Sequence, residues 1–146
     1  MGLFETQLAR GKKGEELFAK TMVERGHIVE DLRDDEKWRK ADVDFSIDGR
    51  LVEVKTDYRM NQTGNIFLEN GISYAKGGNR DGWFKQTQAE YLAFVDAKTN
   101  KIYIYPMELL KEFVEGRLYL LRQCDDGYKI VYGYCVPKNA VAYQLI

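Results

Sequence analysis

Asp42-Val43-Asp44-Phe45-Ser46-Ile47-Asp48-Gly49-Arg50-Leu51-Val52-Glu53-Val54-Lys55 is the stretch that decides the fold. A two-residue Asp-Gly between two alternating apolar runs is a strong hairpin signal. A turn at Asp48-Gly49 pairs Ile47 with Arg50, Ser46 with Leu51 and Phe45 with Val52. It sets Asp44 directly opposite Glu53 and Val43 opposite Val54. Side chains alternate faces along a strand. Asp42, Asp44, Glu53 and Lys55 therefore share one face, and Val43, Phe45, Ile47, Val52 and Val54 share the other, which is a core face.

Opposed carboxylates with Cβ atoms about 5 Å apart repel one another. A sheet places Asp against Glu when something positive lies between them. Mg²⁺ fits that need, as a hard cation that takes carboxylate oxygens and keeps several waters. Lys55 projects beside the same point, where its ammonium can position or help deprotonate a water and stabilise a phosphate in attack. The competing reading is an exposed hairpin face whose acids and lysine are merely solvated.

Working outward, Phe18, Ala19, Met22 and Val23 form one stripe at helical spacing, which predicts a helix over 14–25 closed by Gly26. A short strand is expected over 27–32, then a charged loop over 33–40. Beyond the hairpin come a polar loop at 57–64, a short strand at 65–69 and a mobile glycine-rich loop at 70–83. A second hairpin is expected from 89–96 and 101–105, and a helix over 106–115 with Pro106 in its first turn and Gly116 after its end. A third hairpin joins 118–123 to 128–136, and a short helix is expected near the end, over 137–146.

The chain has 146 residues, with 22 basic against 23 acidic groups and 45% hydrophobic content. One domain spanning 1–146 is expected, with enough apolar residues for a core. A balance this even excludes binding of nucleic acid by bulk charge alone. No run of 18 apolar residues is present, so no membrane span is expected. The first residues lack the pattern of a signal peptide, which points to the cytoplasm of a bacterium or of a phage-infected host. Two cysteines, Cys124 and Cys135, and one histidine, His27, are too few for a four-ligand zinc site. A two-residue turn at Asp126-Gly127 would set Cys124 opposite Lys129 and Cys135 opposite Leu118, so no disulfide is expected. Chemistry here should run on carboxylates, lysine or an oxygen-ligated metal.

The hairpin resembles the PD-(D/E)XK nuclease superfamily, with Asp44 as the first acid and Glu53-Val54-Lys55 as the E-x-K. Val43 stands where that superfamily carries proline. Thr63-Gly64-Asn65-Ile66-Phe67-Leu68-Glu69, Gly82-Trp83 and Thr87-Gln88-Ala89-Glu90-Tyr91 are similar to a phage-type subgroup of small members, and others of its members resolve Holliday junctions. The resemblance spans roughly residues 12–115. It implies a single-domain α/β fold with a restriction-endonuclease-like αβββαβ core and a mixed sheet. It further implies Mg²⁺-dependent endonuclease cleavage of DNA, with Mn²⁺ as a substitute, on branched or replication and recombination intermediates. The metal set implied is Asp44, Glu53, the Val54 carbonyl and a carboxylate on the first helix. Spacing selects Glu15 for that last place, since it lies on the stripe of Phe18 and Met22, whereas Glu16 turns towards Lys12 and Lys20. Glu69 is a weaker candidate as a further carboxylate on or beside the metal, and Gln88 as a neighbour of the lysine.

Phosphate contacts are expected from Lys12, Lys13, Arg59, Lys76, Arg80 and Lys85. Trp83 and Phe84 are expected in the core, with stacking on an unpaired base as the other role. Junction cleavage would need a homodimer, because two strands require two sites. Two other readings stay open: a nuclease-fold binding or accessory protein that does not cut, and an RNA-cleaving enzyme. The superfamily core has a helix between the E-x-K strand and the next core strand. Residues 57–88 offer at most a short one near 83–87.

Overall fold

The computed structural model describes residues 3–146. Helix α1 (Leu3–Glu24) leads into β1 (Val29–Asp31), α2 (Glu36–Lys40), β2 (Phe45–Ile47) and β3 (Arg50–Asp57). Then come α3 (Met60–Thr63), β4 (Asn65–Tyr74), β5 (Asn79–Asp81) and α4 (Trp83–Gln86). The chain continues through β6 (Tyr91–Asp96), β7 (Ile102–Pro106), α5 (Met107–Val114), a single 3₁₀ turn (Leu118–Leu120), β8 (Leu121–Asp125), β9 (Lys129–Pro137) and β10 (Gln144–Leu145).

A mixed six-stranded sheet runs β1-β2-β3-β6-β7-β10. Only β3 and β6 are parallel; the other neighbours are antiparallel. The Asp48-Gly49 turn forms as the dipeptide dictates, with φ of 51° and 83° at its two central residues. The register is Phe45 to Val52, Ser46 to Leu51 and Ile47 to Arg50.

Helix α1 packs one face of this sheet. Phe18 and Met22 bury against Phe45, Val52, Val54, Ala93, Val95 and Ile102. The helix lies close because Gly14 has no side chain: a Cβ there would stand 1.8 Å from the Thr56 hydroxyl oxygen. The other face buries Leu92, Phe94, Tyr103 and Tyr105 beneath Ile66, Leu68, Phe84, Leu110 and Val136.

The connection from β3 to β6 departs from a plain helical crossover. It contributes β4 and β5 to a second, antiparallel sheet, β5-β4-β9-β8. The expected mobile loop at 70–83 is therefore mostly ordered: β4 runs on to Tyr74, and β5 folds back on it. Glycine content suggested disorder there, but Gly77 and Gly78, with φ of 101° and 92°, make a turn. The charged stretch 33–40 likewise holds a helix, α2, because the Asp35 carboxylate caps the Lys37 N–H at 2.9 Å. The polar loop at 57–64 contains the turn of helix α3, and its Met60 is buried.

Two expectations near the C-terminal end fail. Cys124 pairs with Val131, not Lys129, because the Asp126 carboxylate accepts from both Tyr128 and Lys129 N–H and so builds a longer turn. Residues 137–146 form no helix; β10 adds to β7 at the sheet edge instead. Both cysteines are free. No helix among the described residues is long and apolar enough to cross a membrane.

Candidate active site

The regular β2–β3 ladder stops at Phe45. The Asp44 N–H donates to the Val52 carbonyl at 2.9 Å, one residue out of register, and Val43 N–H turns to the Trp38 carbonyl at 3.0 Å. Asp42 is in the left-handed region, with φ of 50°. These two irregularities correct the simple alternation. Val43 packs with Ala41 and Leu92 in the core on the far side of the sheet, away from Phe45. Asp44 does not sit in a ladder position facing Glu53. Its carboxylate reaches across to accept the Val54 N–H at 2.8 Å. A strand residue directs its N–H and C=O to the same side, so the Val54 carbonyl points into the same gap at the end of β2.

Glu53 and Lys55 lie on the opposite face of β3 from α1. Glu53 is only 4% exposed, and its carboxylate accepts from the Lys55 ammonium at 2.9 Å. Burial drives the Glu53 carboxyl up to about 8, with the nearby Asp44 charge adding to the push and Lys55 opposing it. Asp44 is also raised, mainly by burial, against the Val54 hydrogen bond. Burial alone would lower the Lys55 ammonium, but Glu53 beside it, with Asp44 and Asp42 nearby, carries it above its ordinary value. Lys55 is therefore held as a cation.

Glu15 enters from α1 and is half-buried, with its pKa raised first by burial and next by Asp44. Its neighbour Glu16 is exposed. One Glu15 oxygen accepts from Arg33 at 3.3 Å, and Arg33 is fixed from behind by Asp31 at 2.7 Å. Arg33 thus caps the acidic cluster; its place in a charged stretch marked it only as surface. Among the described residues no three acidic, His or Cys side chains close on one point. What converges is Asp44, Glu53 and the Val54 carbonyl, with Glu15 beside Asp44. This all-oxygen set suits Mg²⁺, which needs one or two carboxylates and fills its remaining positions with water.

A cleft opens beside Lys55, lined by Asp42, Glu69, Arg80, Asp81, Trp83 and Gln86. Trp83 covers the lysine, whose ammonium lies 4.8 Å from the ring centroid. That placement depends on Gly82, where a Cβ would stand 2.4 Å from the Glu69 carbonyl oxygen. Lys111 anchors the next residue by donating to the Phe84 carbonyl at 2.9 Å. Glu69, a weak candidate from sequence, lines the cleft. Gln88 does not: Gln86 lines it instead, donating to the Asp42 carboxylate.

Of the basic residues expected to meet phosphate, Arg80 lines the cleft. Lys85 pairs with Asp81 at 3.2 Å and shares an open surface with Arg80. Lys13 lines a separate pocket against α1. Lys12, Arg59 and Lys76 are exposed away from these hollows. His27 lies at the surface, its Nδ1 2.7 Å from the Asp48 carboxylate.

No family model matches the chain, and no curated protein does. Among solved structures it is similar to a bacterial homing endonuclease, I-Ssp6803I, with a TM-score of 0.53 and 13% identity, over 84% of this chain and 75% of that one. The chain shares its fold with that protein. At this identity the likeness concerns architecture alone.

Proposed function

We propose that the chain is a Mg²⁺-dependent endodeoxyribonuclease, with Mn²⁺ able to replace Mg²⁺. The observation that carries this reading is the buried Glu53 carboxylate, set beside Asp44 and the charged Lys55 at the mouth of a cleft. A buried acid raised this far is costly without a strong cation, and sites with such shifts are enriched in catalysis. The likeness in fold to a homing endonuclease supports DNA as the substrate.

Asp44, Glu53 and the Val54 carbonyl would hold the metal, with Glu15 completing the set once released from Arg33. A bound Mg²⁺ supplies Lewis acidity and makes a water nucleophilic near neutral pH. The Val54 N–H fixes the Asp44 carboxylate so that its other oxygen stays free. Lys55, held charged, orients the attacking water and stabilises the negative charge that gathers on the phosphate. The water oxygen bonds to phosphorus and releases a proton to solvent as the opposite P–O bond breaks, and the leaving oxygen takes a proton from solvent. Trp83 and the Arg80 wall restrict water around Lys55.

The test is cleavage of plasmid and of oligonucleotide duplex, branched, flap and single-stranded DNA with Mg²⁺, by wild type, Glu53→Gln and Lys55→Ala. Equal cleavage by all three removes the site assignment. A panel with RNA settles the nucleic acid, and sedimentation on a junction settles whether a dimer acts.

One observation favours a non-cleaving binder: the Glu15–Arg33 and Glu53–Lys55 pairs balance these acids without metal. Calorimetry separates the two readings, since a binder of this kind takes up no Mg²⁺ or Mn²⁺ at millimolar metal.

A further inference from the structure

Beside the acidic cluster, on the α1 side of β3, lies a second hollow of about 140 Å³. Arg10, Lys13, Gly14, Thr56, Tyr58 and Asn100 line it. Its charged lining is cationic throughout. Among the described residues, Arg10, Lys13 and the adjacent Lys98 form no ion pair. Arg10 lies 4.8 Å from the Tyr58 ring centroid and Lys98 lies 6.0 Å from it. One aromatic ring thus gathers two like charges, which repel until an anion joins them. The acids beside the lining residues on β3 and β6 are engaged by backbone N–H groups. Asp57 accepts from the Arg59 and Met60 N–H groups, and Asp96 accepts from the Lys98 N–H.

The position gives the anion its identity. Gly14 and Thr56, which touch across the helix–sheet contact, are the chain neighbours of Glu15 and Lys55. Thr56 faces α1 whereas Lys55 faces the other side of β3, so the hollow meets the cluster on the side of Glu15, the residue that follows Gly14 on α1. Successive nucleotides of one DNA strand rise about 3.4 Å each, so a single backbone can reach both places.

We propose that this hollow binds a backbone phosphate of the cleaved strand, flanking the scissile one, with Arg10 and Lys13 as its ligands and Tyr58 as the residue that positions them. This rests on the nuclease reading above. Both basic residues are exposed on α1, and glutamine is a good helix former, so R10Q/K13Q keeps the fold.

The experiment uses a duplex in which one phosphate at a time is replaced by a neutral methylphosphonate. Wild type should lose about tenfold in kcat/KM at one flanking phosphate, the scale of one charge-assisted contact. R10Q/K13Q should lose about the same on unmodified duplex, mostly through KM, and lose nothing more at that one position. Its salt dependence of binding should flatten by about one unit of slope. Loss that adds at every methylphosphonate, or a variant equal to wild type on a substrate that wild type cuts, overturns the subsite and leaves the nuclease reading standing. A wild type that binds DNA without cutting it is judged by the salt slope alone: a flatter slope in the variant supports the subsite, and an unchanged one overturns it. A wild type that neither binds nor cuts overturns both.

Discussion

Glu53→Gln should spare the metal-free protein part of the stability it loses as pH rises, while removing its response to Mg²⁺. Folding carries this carboxyl from an ordinary 4.5 to about 8. The folded state holds the proton more tightly, so stability is greatest below the unfolded value and is lost as pH climbs towards the folded one. At about 1.4 kcal/mol per pH unit, the full cost of ionisation is about 5 kcal/mol. Between about pH 5.5 and pH 8 the wild type should lose about 3 kcal/mol from this group. Glutamine copies the protonated acid in shape and charge, and it still accepts from Lys55, so the variant lacks that slope. The assay is urea unfolding in EDTA, followed by tryptophan fluorescence at both pH values. Asp44 and Glu15 are also raised and slope the same way, so the difference between the two proteins isolates Glu53. Mg²⁺ at a hundred times its Kd should return about 2.7 kcal/mol to wild type at the higher pH and nothing to the variant. Parallel pH profiles for the two proteins would refute the argument that burial, uncompensated without metal, governs this acid.

Lys55→Ala should lower single-turnover cleavage by about a hundredfold or more, as removal of one preorganised charge-stabilising donor does; quench-flow at saturating DNA measures it. Gly14→Ala should drive α1 off β3, with a cost of about 1–3 kcal/mol, and Gly14→Ala/Thr56→Ala should recover part of it, because the hydroxyl at 1.8 Å is the main obstacle. Thermal denaturation of the four proteins of that cycle tests the coupling. Phe18→Ala empties a site with 0% exposure packed on Phe45 and should cost about 3–5 kcal/mol in chemical denaturation.

The central hairpin was legible because Asp48-Gly49 admits one tight turn, and that turn fixes the register of every residue after it. Glu15 was legible too, since helical spacing puts it on the stripe of Phe18 and Met22. The placement of Val43 was not. It depends on a left-handed Asp42, which Gln86 and Thr87 hold from 44 and 45 residues away, and period-two alternation carries no sign of such long-range ties. The second sheet was hidden for a related reason: the edge that orders Asn70–Tyr74 is β9, far along the chain, while local composition there favours a loop. Gln86 was passed over for Gln88 because the four-residue helix that sets Gln86 against Asp42 is too short to show a period. Arg33 had no periodic context at all; only its contact with an acid on another element gives it a role.

The pairing of β4 with β9 also sets when the proposed activity could arise during synthesis. Residues 65–74, which lead into the wall of the cleft, are backed by residues 129–137. On the ribosome, five strands of the first sheet, β1, β2, β3, β6 and β7, can gather, with Glu53 and Lys55 already placed, while the partner of β4 is still unmade. The wall bearing Glu69, Arg80 and Trp83 then lacks its support until residue 137 has emerged. A growing chain would hold its acids in place yet present no finished cleft, and competence to cut would arrive late, in one step, with the closing of the second sheet.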